Sequence, residues 1–161
     1  MRRGRGRAAR TRRAVGATYY VEPAATQDVD IFVVFHRTRG ASLAPLSPVY
    51  QFLESRGAKP EDEHLVIGDW PVQILPAAGT LLEVAIRDAR VASADGSPVR
   101  VFTAEHLAAI ALQTGRTKDK LRLAQFLEWK GFDRGRFESI VRAHGLLARW
   151  HEFKRVFLTN P

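Results

Sequence analysis

The strongest hydrophobic pattern in the chain is a short run that starts with polar residues and ends with five apolar ones. Residues 26–35 read Thr-Gln-Asp-Val-Asp-Ile-Phe-Val-Val-Phe. Its β-branched and aromatic residues predict a strand, which we expect to be buried on both faces. Side chains alternate along a strand, so Asp28 and Asp30 point to the same face, about 6 to 7 Å apart. Two like charges at this spacing favour a bound cation between them.

Polar and apolar residues alternate again in the middle of the chain. The segments His64–Ile67 and Trp70–Leu75 flank Gly68-Asp69, which predicts a β-hairpin. Pro71 lacks a backbone N–H and suits an edge strand or a bulge better than the centre of a sheet. Short helices are predicted on either side of this hairpin, over residues 48–57 and 81–87, and a brief strand over residues 99–102.

From Thr103 onward the apolar spacing becomes helical. Thr103 is a predicted N-cap and Gly115 a predicted helix end. A second helix, from about Lys118 to Trp129, is expected to bury Leu121, Ala124 and Leu127 or their neighbours. A third begins after the N-cap Asp133, and a final one carries Trp150, Phe153 and Phe157. The pattern therefore predicts an α+β fold, in which a small mixed sheet packed with helices precedes a C-terminal helical region.

Composition divides the chain further. Residues 1–13 contain seven arginines and no acidic residue. This segment therefore carries most of the net charge of +8 of the 161-residue chain. We therefore predict a disordered arm at 1–13, an α/β core at 14–102 and a helical region at 103–161. The arm is either a solvated tail or a phosphate-binding segment of a nucleic-acid site, through residues such as Arg2, Arg3, Arg5 and Arg7.

Several classes of site are excluded or disfavoured by composition. The chain has no cysteine, which rules out disulfides and thiolate metal sites and fits a cytoplasmic protein. None of its five histidines forms a His-x-x-x-His pair on a helix, and no segment has the length and apolarity of a membrane span, so no membrane partner is expected. Carboxylates thus remain the main candidate metal ligands.

Two segments resemble the nucleotidyltransferase superfamily, in particular its minimal and abortive-infection toxin-type members. The first is the run Thr26-Gln-Asp-Val-Asp followed by apolar residues. The second is Phe102-Thr-Ala-Glu-His-Leu-Ala-Ala-Ile-Ala-Leu-Gln-Thr-Gly-Arg-Thr-Lys-Asp-Lys, in which Arg116 and a Lys118-Asp119 pair follow a leucine-rich helix. The resemblance covers roughly residues 16–127 and implies the nucleotidyltransferase fold.

The resemblance implies a metal-dependent transfer of a nucleotidyl group from a nucleoside triphosphate to a hydroxyl of RNA, such as tRNA, or of a protein. Asp28 and Asp30 would be the catalytic residues and would bind Mg²⁺ or Mn²⁺. The implied substrate-binding residues are Gly16, Thr26, Gln73, Arg116, Lys118 and Asp119. A toxin of this type would also have a cognate antitoxin as a partner.

Two residues depart from the family pattern. Gln73 occupies the position of a third carboxylate, and an amide brings no charge and cannot act as a base. Glu63 and Asp69 are the nearest substitutes in the sequence. Ala111 replaces a lysine on the helix that follows the sheet. Both departures favour an alternative function, a non-catalytic member that binds a nucleotide or a partner protein in the same cleft.

Overall fold

The computed structural model describes residues 29–34, 46–94 and 96–158, and these form an α+β fold as predicted. The strands are β1 (Val29–Val33), β2 (Lys59–Glu61), β3 (His64–Ile67), β4 (Trp70–Pro76), β5 (Arg90–Ala94) and β6 (Ser97–Val101). The helices are α1 (Ser47–Glu54), α2 (Thr80–Arg87), α3 (Ala104–Thr114), α4 (Thr117–Glu128), α5 (Arg134–Ala143) and α6 (Leu147–Phe153), and a π-helical turn follows at Lys154–Leu158. Within the described residues no helix has the length and apolarity needed to cross a membrane.

The first four strands form one mixed sheet in the order β1-β4-β3-β2. β1 pairs with β4 in parallel, and its central residues Asp30 and Ile31 lie opposite Gln73 and Ile74. β3 and β4 form the predicted antiparallel hairpin. β4 lies between β1 and β3, so Pro71 is in an inner strand and not at the edge that its chemistry suggested. Among the described residues, Pro71 is paired with Val66 of β3, and the pairing of β4 with β1 begins at Val72.

The expected burial of β1 on both faces is wrong. Ile31 is 41% exposed, and Asp30 is also exposed. Among the described strands, β1 has a neighbour on one side only. An apolar run specifies a strand but not the number of strands or helices that cover it. Asp30 therefore does not carry the desolvation cost that a carboxylate in a doubly covered strand would have.

A two-stranded sheet follows the second helix. β5 and β6 pair as a hairpin with Ala92 opposite Val99. The sequence predicted only the second strand, because β5 contains Arg90 and two alanines and has a weak strand signal. The turn predicted at residues 95 and 96 is consistent with the positive φ of Gly96, 80°, while Asp95 lies outside the described residues.

Among the described residues, the apolar core consists of two clusters. One lies between a face of the four-stranded sheet and α1, around the buried residues Ala58, Leu65, Val72 and Ile74. The other is larger and lies among the helices, with Phe126, Phe137 and Trp150 at its centre. Leu81 of α2 belongs to this second cluster, so α2 packs with the C-terminal helices. The division of the chain at residue 102 stays a prediction.

The helix caps of the C-terminal region agree with the sequence. Thr103 Oγ1 accepts a hydrogen bond from the N–H of His106, and Asp133 Oδ1 accepts one from the N–H of Arg136. Gly115 ends α3 with φ of 71°, a left-handed conformation that glycine adopts readily. The start of α3, on which the second resembling segment lies, is therefore fixed by local chemistry.

The predicted buried face of α4 is correct for Ala124 and Leu127, which pack half-buried against the helical core, and wrong for Leu121. Leu121 is 61% exposed, whereas Leu123 and Phe126 are completely buried. α4 carries apolar side chains on more than one stripe, and its packing against α3 selects the stripe that contains Leu123. Ala111 of α3 is buried in the helical core.

Two leucines of the same helix provide a direct test of this orientation. Leu123→Ala should lower the free energy of unfolding by about 2 to 5 kcal/mol, because it leaves a cavity in the core. Leu121→Ala removes the same atoms from an exposed position and should change it by less than about 0.5 kcal/mol. Urea denaturation measures both, and equal losses for the two variants would show that α4 does not present this face.

Candidate functional site

The residues predicted to form the site meet in part on the sheet face opposite α1. Asp30 and Gln73 are paired in register on neighbouring parallel strands, so their side chains lie on the same face about 5 Å apart. The resemblance placed Gln73 where related proteins have a carboxylate beside the first strand. The described register is compatible with that placement.

The same row continues across the sheet. Leu65 lies opposite Val72 in the antiparallel β3–β4 pair, and the register one residue further places His64 opposite Gln73. On the other side of β3, Glu61 of β2 is paired with His64. We refer to Asp30, Gln73, His64 and Glu61 as the polar row. The register of the four strands, and not the sequence pattern, shows that His64 shares a row with Asp30.

Apolar residues border the polar row. Phe32 follows Asp30 on the same face, and its ring stacks on Phe102 with the centroids 5.3 Å apart. Asp30 and Glu61, at the two ends of the row, are exposed, and Gln73 and His64 are half-buried. The row is therefore accessible to a ligand and has an apolar wall on the side of Phe32.

The donors of the polar row fit a hard divalent cation in kind. Asp30 offers a carboxylate and Gln73 an amide oxygen, which are ligand types that Mg²⁺ and Mn²⁺ accept. Among the described residues, no three His, Asp or Glu side chains converge closely enough to hold a metal ion. A second carboxylate would have to come from Asp28, which lies outside the described residues.

Neither substitute carboxylate reaches Asp30. Asp69 lies in the turn before β4, four residues from Gln73, and is about 13 Å away along the strand. Glu63 lies in the turn between β2 and β3, two strands away from β1. Gln73 is consequently the residue of β4 that faces Asp30, and the third carboxylate is missing at this point of the described sheet.

The second predicted motif, Arg116 with Lys118 and Asp119, lies directly after the C-terminal end of α3. Arg116 Nε donates to Asp119 Oδ2 at 2.8 Å, and Asp119 is only 4% exposed. The structure thus ties Asp119 to the start of α4, where its charge also favours the helix N-terminus. Arg116 and Lys118 are exposed.

Helix α3 separates this motif from the aromatic contact beside the polar row. Phe102 stacks on Phe32 directly before α3, and the motif begins directly after it. The helix has 11 residues and is about 16 Å long. The described contacts therefore bring Gln73 to Asp30 and do not bring Lys118 there. Gly16, Thr26, Asp28 and the arm residues Arg2, Arg3, Arg5 and Arg7 lie outside the described residues.

A second polar cluster surrounds the buried His106. Its Nδ1 is 3.0 Å from Thr103 Oγ1, and its Nε2 is 3.9 Å from Asp88 Oδ2. Arg136 Nη2 lies 3.6 Å from the same carboxylate oxygen. Burial lowers the pKa of His106 from its ordinary value of 6.5, an effect that Asp88 and Glu105 oppose and that Arg136 and His144 reinforce.

This cluster serves the packing of the helices. His106 is 1% exposed, so no substrate can reach its ring. Its contacts connect α3 with the end of α2 and the start of α5, where Glu105 Oε1 also accepts a hydrogen bond from the N–H of Asp133 at 3.2 Å. Sequence analysis did not single out His106, whose position three residues after a cap threonine was the available signal.

The lowered pKa of His106 predicts a pH dependence of stability. As pH falls through 6.5, the unfolded chain binds a proton at this residue while the folded chain stays neutral. The free energy of unfolding should therefore decrease with falling pH until the folded pKa is reached. His106→Gln should flatten this dependence in urea titrations across that range. His151→Gln alters an exposed histidine and should keep the wild-type slope; identical slopes for all three proteins would contradict the account.

Comparison with known proteins gives no family for this chain. No protein-family model matches it, and no curated protein matches it either.

Proposed function

We propose that this chain is a metal-dependent, nucleotidyltransferase-like protein that transfers a nucleotidyl group from a nucleoside triphosphate to a hydroxyl of RNA or of a protein. The single observation that carries the proposal is the register of Asp30 with Gln73 on two parallel strands. It sets a carboxylate and an amide oxygen side by side on an accessible sheet face. Together with the Asp-x-Asp pattern at residues 28–30, this is the arrangement that the sequence resemblance implies.

In this proposal the chain's own residues hold the cation and orient the substrate. Asp30 and Asp28 supply carboxylates, Gln73 supplies a neutral oxygen, and His64 lies next in the row. A bound Mg²⁺ or Mn²⁺ would supply neutralisation of phosphate charge and alignment of the attacking hydroxyl. The Phe32 and Phe102 rings form an apolar wall against which a nucleoside can pack.

In this proposal Lys118 and Arg116 bind a phosphate that lies away from the polar row. Their exposure suits contact with an anion, but the length of α3 sets them apart from the Phe102 end of that helix. We therefore assign them to a more distant phosphate, such as one of an RNA acceptor. Asp119 is assigned to the structure of α4 because it is buried against Arg116.

The alternative function is a non-catalytic protein that binds a nucleotide or a partner protein, such as an antitoxin, at the polar row. The observation that favours it is the amide of Gln73 directly beside Asp30. Gln73 contributes no negative charge, so a metal bound there is held less strongly than by a carboxylate. A toxin function, with a cognate antitoxin as its partner, belongs to the catalytic proposal.

Transfer of label from α-³²P nucleoside triphosphates to total RNA or lysate protein tests the catalytic function. With Mg²⁺ or Mn²⁺ present, Asp30→Asn should reduce transfer by at least about 100-fold, because metal coordination contributes several kcal/mol to such reactions. Asp69→Asn makes the same chemical change in an exposed turn and should keep wild-type transfer. Nucleotide binding without transfer by the wild-type protein would select the non-catalytic alternative.

Restoring a carboxylate beside Asp30 gives a gain-of-function test. Gln73→Glu should tighten Mn²⁺ binding by at least about tenfold, since an added charge near a cation contributes more than 1 kcal/mol even when it is partly screened. Isothermal titration calorimetry measures the change. Gln125→Glu, on α4, serves as the matched control. If both variants bind Mn²⁺ like the wild type, the metal is not held at the polar row.

A further inference from the structure

The part of the chain that follows α3 is basic, whereas the part between the arginine-rich arm and the end of α3 is acidic. Residues 116–161 contain eleven Lys or Arg and five Asp or Glu, a net charge of +6. Residues 14–115 contain seven basic and twelve acidic residues, a net charge of −5. Residues 14–161 are nearly neutral in total because the acidic segment offsets the basic helical region. A positive net charge in one region favours polyanionic ligands.

A groove opens on this basic region. It lies between the end of α3, the start of α4, and α6 with the π-helical turn, and it encloses about 500 Å³. Leu112, Leu123, Phe153 and Val156 contribute apolar side chains to its lining, and Lys120 and Arg149 contribute charge. A groove of this size accommodates a ligand of several hundred daltons.

A column of aromatic rings leads from the core to this groove. Trp150 and Phe153 are buried and stack at 5.9 Å, and Phe153 stacks on Phe157 at 4.9 Å with an interplanar angle of 16°. Phe157, the outermost ring, is 41% exposed and lies in the π-helical turn. Single π-helical turns often occur at functional sites, and an accessible ring supported by a rigid column is a platform for a flat ligand.

Two cations border this platform. Lys120 Nζ lies over the Phe157 ring, 6.0 Å from its centroid, so this exposed and flexible side chain moves off the ring face when a flat ligand stacks there. Arg149 lies against the end of α3, where a Cβ on residue 115 would be only 3.2 Å from Nη1, so a glycine there leaves room for the guanidinium. Glu152, the one acidic side chain among the described lining residues, is held by Arg155 at 2.8 and 2.9 Å. Lys120 and Arg149 can therefore serve a ligand's anionic group.

We propose that this groove binds one nucleotide unit of a single-stranded nucleic acid, with the base stacked on Phe157 and its phosphate held by Lys120 and Arg149. A nucleotide combines a flat ring with an anionic group a few ångströms away, which matches the aromatic platform and its cations. An acidic amphipathic peptide is a weaker match, because nothing in it uses the flat face of an aromatic column. The inference goes beyond the proposed catalytic function and does not depend on it.

Fluorescence anisotropy of the full chain with labelled single-stranded RNA and DNA of the same sequence tests the proposal. Phe157→Ala should weaken binding about tenfold, the effect of losing one stacked base, without changing the salt dependence. Lys120→Gln should weaken binding and reduce the slope of log affinity against log salt by about 0.7, because one phosphate contact is lost. Equal losses with both nucleic acids show recognition of base and phosphate, and a loss with RNA alone adds a contact to the 2′-hydroxyl.

Matched variants separate the groove from the rest of the surface. Phe52→Ala removes an exposed phenylalanine from α1 and Lys130→Gln removes an exposed charge after α4, and neither should reproduce these effects. Phe157→Trp should retain binding, which separates loss of stacking from loss of structure. Oligonucleotide affinity is measured without divalent cation or nucleoside triphosphate, so failure of catalysis and failure of this site can be distinguished.

Two results would overturn the proposal. One is wild-type affinity in Phe157→Ala, or the same slope in Lys120→Gln and Lys130→Gln. The other is binding of a peptide of alternating Glu and Leu that depends on Phe157 and Lys120 when the oligonucleotides show no such dependence; the groove would then be a peptide site.

Discussion

The parallel register of β1 and β4 is the constraint on which the candidate site depends. Val72 and Ile74 are 5% and 3% exposed, and Val29 and Val33 pack against the same cluster. These apolar residues fix one face of the sheet to α1, so Asp30 and Gln73 must lie on the other. A shift of one residue would turn the Asp30 carboxylate into the apolar cluster at a cost of several kcal/mol. The packing of the core thereby selects the face on which the polar row is accessible.

Much of the fold could be predicted because its signals are local. The caps at Thr103, Asp133 and Gly115 depend on contacts within a few residues, and the β3–β4 hairpin depends on a two-residue turn. The burial of β1 and the inward face of α4 depend on what packs against them, and there the prediction failed for Ile31 and Leu121. α4 offers apolar side chains on two stripes, and only its neighbours decide that Leu123 is buried and Leu121 is exposed.

The candidate site was predictable only in part for a related reason. The resemblance pointed to Asp30 and Gln73, and their register puts them side by side. His64 and Glu61 could not be added from sequence, because their place in the row follows from three successive strand pairings. Arg116 and Asp119 are three residues apart at the start of a helix, a spacing at which side chains pair. Because Asp119 is buried, we give it a structural role in α4. The groove beside Phe157 needed the fold, since its lining comes from α3, α4 and α6. The acidic and basic regions of the chain thus carry two separate proposed binding surfaces.

The central claim is that a divalent cation binds at the polar row beside Asp30. Titration of Mn²⁺ into ¹⁵N-labelled protein tests it directly, because a bound paramagnetic ion broadens the amide signals of nearby residues. We expect selective broadening at Asp30, Gln73 and His64, with the signals of Lys118 and of the groove beside Phe157 retained, and loss of the effect in Asp30→Asn. Broadening centred elsewhere, or unchanged in Asp30→Asn, would contradict it.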